Sequence, residues 1–161
     1  MLERHSVVRE GVIAGLLGAA GVAVWFLIVD SMSGRPFYTP AMLGTAMLSV
    51  LGKPGSEGML THVLVYTLFH GAAFIGVGLV LAFFVHQAER EPEVLAALII
   101  LFILFELGFY IATALLAESE FFGRLAWYQV AIGNTIATLA MGVYMWKAHP
   151  KLRSELAHAY E

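Results

Sequence analysis

The chain has 161 residues, 60% hydrophobic and 13% charged, with a mean hydropathy of +0.80. Soluble domains carry roughly 25% charged residues, so this chain lacks the side chains to cover a water-facing surface and reads as one integral membrane domain over residues 1–161. A net charge of −3 with scattered Lys and Arg argues against nucleic-acid binding, and the absence of cysteine excludes disulfides, thiolate metal sites and a cysteine nucleophile.

A helix that crosses a bilayer needs about 20 apolar residues. The first predicted span covers about 9–30. Its charge-free run, residues 11–29, exceeds the roughly 7–15 residues of a signal-peptide core, so it is expected as a retained helix. A 28-residue connection, 30–57, follows. Within it TPAMLGTAMLSVLG predicts a short helix at about 40–51, with Thr39 as N-cap, Pro40 in the first turn and Gly52 at the stop. About 12 residues rise only ~18 Å, too short to cross. Asp30 and Arg35 flank the turn before it and are expected as an exposed ion pair.

The second span is predicted at about 59–86, followed by the short turn HQAEREP. The third, about 92–117, carries a single charge, Glu106. After the turn ESEFFGR comes the fourth span, about 122–147, and then the tail HPKLRSELAHAY, a short amphipathic helix with Leu152 and Leu156 on one side. None of these runs alternates with the period of a membrane β-strand. The expected fold is all-α and polytopic, four transmembrane helices in an antiparallel bundle. Arg4, Arg9, Arg90, Lys147, Lys151 and Arg153 fall on one side, against Arg35, Lys53 and Arg124 on the other. The positive-inside rule then predicts a multi-pass protein of the cell (inner) membrane with both termini cytoplasmic. His5, His86, His149 and His158 fall on that side and are expected to be solvated.

Gly11, Gly15, Ala19 and Ala23 stand four apart on the first helix, and Ala131, Thr135, Thr138 and Gly142 make a similar run on the fourth. This small-xxx-small spacing lets helix backbones approach closely, within the chain or across subunits. Trp25, Trp127, Tyr128 and Trp146 lie near span ends and suit interfacial anchoring.

Counting inward from the outer ends, His70 lies ~15 Å deep, Glu106 ~16 Å and Asn134 ~18 Å. Three helices thus place a strongly polar side chain near the midplane of a core about 30 Å thick. An isolated carboxylate there is costly, so Glu106 is expected to have polar neighbours. His62, Tyr66, Tyr110, Thr113 and Thr135 continue the polar positions outward, while the inner halves are nearly without them. A through-going channel needs polar groups along the whole span, so a blind outer pocket or a closed network fits better. A metal is not expected: His62 and His70 stand ~12 Å apart along the helix, and no Glu-x-x-His pair occurs. No motif implies a cofactor or a catalytic residue.

The leading expectation is therefore a non-enzymatic structural or accessory subunit. It would pack against other membrane subunits, or against copies of itself, and bury a polar cluster around Glu106. The alternative is a small-molecule or ion binding or transport protein with an outward-facing pocket ending at His70, Glu106 and Asn134. An intramembrane enzyme using the same residues is the third reading.

Overall fold

The computed structural model describes residues 6–52, 58–91, 94, 100, 102–104, 107, 111 and 127–150. All regular structure among them is helical: α1 (Val7–Met32), α2 (Tyr38–Val50), α3 (Met59–Ala88) and α4 (Trp127–Ala148). Residues 94, 100, 102–104, 107 and 111, within the expected third span, are also helical. Glu106 and the tail helix expected from residue 151 onward lie outside the described residues.

Helix α1 begins where Ser6, in an extended conformation, turns its Oγ to accept from the Arg9 amide at 3.5 Å. Glu10 in the first turn places a negative charge at the positive end of the helix dipole. From there α1 forms the axis of the molecule. It packs along α3 on one side and α4 on the other, whereas α3 and α4 barely touch; α2 lies against α3.

Small residues explain this arrangement. A Cβ at Gly11 or Gly15 would run into the α3 backbone at Leu79 or at Phe74 and Ile75. In return, a Cβ at Gly78 would run into the α1 backbone at Gly11 and Gly15. The two backbones meet here with no side chain between them. Toward α4 the contacts are side chain into notch: Met141 of α4, beside Phe74 of α3, fills the space over Gly18, and Ile136 of α4 sits over Gly21. Ala19 is buried, but Ala23 is exposed and a Cβ on Gly142 would meet nothing. The buried core is correspondingly small, with Ala14, Ala82, Val85, Met141 and Met145 toward one end and Val22, Phe26 and Ala137 toward the other. Trp25 is half-buried, and its indole N–H donates to the Gln129 carbonyl at 2.8 Å, tying α1 to the start of α4. It links two helices as well as lying near a span end.

Two described helices, α1 and α3, are long and apolar enough to cross a membrane. Only 33% and 17% of their most apolar stretches are buried. Leu16, Leu17, Leu68, Phe69 and Phe83 are among the exposed side chains. The core helix of a soluble protein hides such residues, whereas lipid accepts them. Helix α4 has 22 residues but is less apolar, broken by Gln129, Asn134, Thr135 and Thr138.

The turn into α2 departs from expectation. Helix α2 begins at Tyr38, preceded by Phe37 with a left-handed φ of 67°. Thr39 is not its N-cap. Asp30, only 4% exposed, reaches over from α1 and accepts from the Thr39 amide (Oδ2, 2.8 Å) and the Thr39 hydroxyl (Oδ1, 2.8 Å). The tight reversal over residues 33–37 sets the first turn of α2 above the end of α1. The carboxylate there meets amides that have no partner within their own helix. A carboxylate cap of this kind contributes about 1 kcal/mol. Asp30 is therefore not in an exposed ion pair with Arg35, whose guanidinium lies 4.2 Å from the centre of the Tyr38 ring.

Candidate functional site

Glu10 and Asp30 lie about 30 Å apart along α1, the thickness of a bilayer's hydrocarbon core. Each end carries a polar arrangement.

At the Asp30 end, α1, α2 and α3 enclose a pocket of about 210 Å³. Its walls are mostly apolar, with Val22, Phe26 and Leu27 from α1, Phe37 and Pro40 around the start of α2, and Val63 from α3. Asp30, Thr39, Tyr66, Thr67 and His70 supply the polar lining. One turn apart on α3, the Tyr66 and His70 rings stack with centroids 5.3 Å apart. His70 Nε2 lies 3.3 Å from the Ala19 carbonyl, which can only accept, so this nitrogen carries the hydrogen. Nδ1 is then the acceptor for the Tyr66 hydroxyl at 3.4 Å. The pair presents an aromatic wall with a polar edge. For scale, an apolar cavity of roughly 150 Å³ accepts benzene.

At the Glu10 end three helix termini meet. His149 directly follows α4 and is 1% exposed. Its Nε2 lies 2.9 Å from Glu10 Oε2 and its Nδ1 2.7 Å from Glu89 Oε1. His86, three residues before Glu89 on the last turn of α3, sets its ring edge-on to His149 with centroids 4.7 Å apart. Its Nδ1 is held by the Ala82 carbonyl at 2.8 Å, while its Nε2 stands 3.6 Å from Glu10 Oε2. The expectation that His86 and His149 are solvated is corrected here. Helix α3 continues to Ala88, carrying Glu89 and His86 past the apolar run, and the three ends close over the His149 ring. Two signals for this cluster stand in the sequence: a carboxylate, Glu10, directly before a charge-free run, and His86 and Glu89 on one helical face.

The residues of the expected polar layer are distributed differently among the helices. His70 and Tyr66 share the pocket. His62 is buried where α3 passes Gly44 of α2, and its Nε2 has no partner among the described residues. Asn134 is half-buried on α4, and among the described residues no hydrogen bond joins it to His70. Thr135 returns its hydroxyl to the Ala131 carbonyl at 2.8 Å. Glu106, Tyr110 and Thr113 lie outside the described residues.

No protein-family model, curated protein or solved structure matches this chain. The functional reading therefore rests on the geometry.

Proposed function

We propose that the chain is a multi-pass membrane protein that binds a small, mainly apolar molecule in the pocket between α1, α2 and α3. The carrying observation is the apolar cavity of about 210 Å³ with the Tyr66–His70 pair on its wall. Apolar walls supply affinity, and a few polar groups fix orientation, which is the usual division of labour in small-molecule sites. The volume suits one ring or a short alkyl segment with a single hydroxyl or carbonyl group. Of the described cations, Arg9, Arg90 and Lys147 lie near the Glu10 end and Arg35 near the pocket. In the positive-inside reading the pocket faces the outer leaflet and both termini are cytoplasmic.

The test is 19F NMR with 4-fluorophenol, a ring with one polar head, on the full chain in detergent micelles. Saturable binding above linear micelle partitioning is expected for the wild type. Ala23→Phe puts a ring into the pocket wall and is expected to weaken binding at least about tenfold, the loss of ~1.4 kcal/mol. His70→Ala is expected to weaken it less. Equal binding by wild type and Ala23→Phe would defeat this reading.

A second reading, a subunit that packs against further membrane helices, has its own support. Among the described residues, a Cβ on Gly71 or Gly76 of α3, or on Gly142 of α4, would meet no atom within 4 Å. These small-residue faces leave room for a close-packed helix. The chain has no cysteine, so Gly76→Cys can be oxidised in membranes without background crosslinks. A disulfide-linked dimer is expected from Gly76→Cys and not from Leu68→Cys. Monomers from both, together with a monomeric mass by light scattering in detergent, would exclude association through this face.

A further inference from the structure

At the Glu10 end one buried imidazole nitrogen, His86 Nε2, has no hydrogen-bond partner among the described residues. A backbone carbonyl only accepts, so the Ala82 oxygen requires the hydrogen of His86 on Nδ1. In the neutral ring Nε2 is then a bare lone pair; it is shielded from solvent and has no hydrogen-bond partner among the described residues. The Glu89 carboxylate likewise accepts a hydrogen from His149 Nδ1, and His149 Nε2 lies 2.9 Å from Glu10 Oε2. Two imidazole nitrogens and a carboxylate oxygen thus converge on one small region.

We propose that Glu10, His86 and His149 bind a divalent first-row transition-metal ion, with Glu89 orienting His149 from behind. One ligand atom from each of the three lies within 4.8 Å of the others. In a tetrahedral zinc site with bonds of about 2.0–2.1 Å the ligand atoms stand about 3.4 Å apart. The present separations of 2.9 and 3.6 Å from the Glu10 oxygen bracket that value. The two imidazole nitrogens lie within 4.8 Å of each other, so rotation of the partly exposed His86 ring by up to about 1.4 Å would complete a site with that ~3.4 Å spacing.

The donor set narrows the ion. Two imidazoles and one carboxylate suit Zn²⁺, Fe²⁺ or Co²⁺; calcium and magnesium prefer all-oxygen shells, and copper(I) prefers thiolates. The carboxylate behind His149 is the outer partner that metal-bound histidines recurrently have, and it raises the basicity of the ligating nitrogen. His86 and Glu89 keep 21% and 27% of their side-chain surface exposed, which gives an aqueous route in and room for a water as fourth ligand. The ion would join the start of α1 to the ends of α3 and α4, and those last two helices have almost no other contact. This site is at the opposite end of α1 from the pocket and does not depend on the reading of it.

The experiment uses the full chain without an affinity tag, purified in detergent, stripped with EDTA and titrated with Co²⁺. One Co²⁺ per chain is expected, with the intense visible absorption of a four- or five-coordinate ion, displaced by Zn²⁺. Glu89→Gln is expected to bind about 10–100-fold more weakly, as loss of such outer partners does elsewhere. His86→Ala, at a partly exposed ring, is expected to abolish the absorption while circular dichroism keeps the wild-type helix content. If His86→Ala does not fold, the wild type alone decides, because Zn²⁺ should raise its thermal midpoint. No saturable Co²⁺ signal in the wild type, no shift with Zn²⁺, or undiminished binding by folded His86→Ala would each overturn the proposal.

Discussion

Gly78→Leu is expected to yield no folded chain, and Gly78→Ala to lose about 1–3 kcal/mol, the usual cost of overpacking. At Gly78 the added atoms meet backbone, the Gly11 carbonyl oxygen and the amide and Cα of Gly15. A rotamer change relieves a clash with a side chain, but a clash with backbone is relieved only by moving one helix off the other. Helix α1 carries most of the packing of the molecule, so separating it from α3 removes the largest interface in the described structure. Gly76, two residues earlier, is the internal control. Its Cβ would meet no described atom within 4 Å, so Gly76→Ala is expected to stay within about 1 kcal/mol of wild type, the range of intrinsic helix preference. Unfolding in mixed SDS–detergent micelles, followed by circular dichroism, separates the two. Equal losses at 76 and 78 would mean that α1 and α3 do not cross where the structure places them.

His149→Ala is expected to cost about 3 kcal/mol, for the cavity it leaves and the two hydrogen-bonded contacts it removes. The ring is almost wholly enclosed and bridges Glu10 on α1 to Glu89 at the end of α3. Alanine removes both contacts at once and leaves a cavity where three helix ends meet. Glu89 is partly exposed, so water compensates part of its loss and keeps the cost from being larger. Glu89→Gln keeps an acceptor for Nδ1 and removes only the charge, so about 1 kcal/mol is expected. The same micelle titration reads both variants. A His149→Ala chain as stable as wild type would show that the three helix ends do not depend on this ring.

The helical character of the described fold was legible because long apolar helices are specified locally. The apolar run at 11–29 lies inside α1, Val7–Met32, and the short apolar segment after Thr39 is the body of α2, Tyr38–Val50. Hydropathy and length act within one segment, so they can be read without knowing its neighbours. Capping was less legible. Thr39 has the right side chain at the right place for an N-cap, and only the folded turn shows that Asp30, nine residues earlier, supplies the cap instead.

The functional residues divide along the same line. Depth along a helix is a property of that helix alone, and counting at ~1.5 Å per residue set His70 and Asn134 at one level. The direction in which a side chain points depends on how the helices cross. With α1 standing between α3 and α4, His70 turns to the Ala19 carbonyl of α1 and the Tyr66 hydroxyl of its own helix. The His149–Glu10 contact joins residues 139 apart in sequence, and at the ends of apolar runs both looked like ordinary surface residues. By itself the sequence determined that the chain is helical, that two of its described helices suit a lipid environment, and where small residues allow close approach. Only the tertiary structure decided which small faces meet, which polar groups share a pocket and which charges are buried together, because those depend on contacts between segments far apart in the chain.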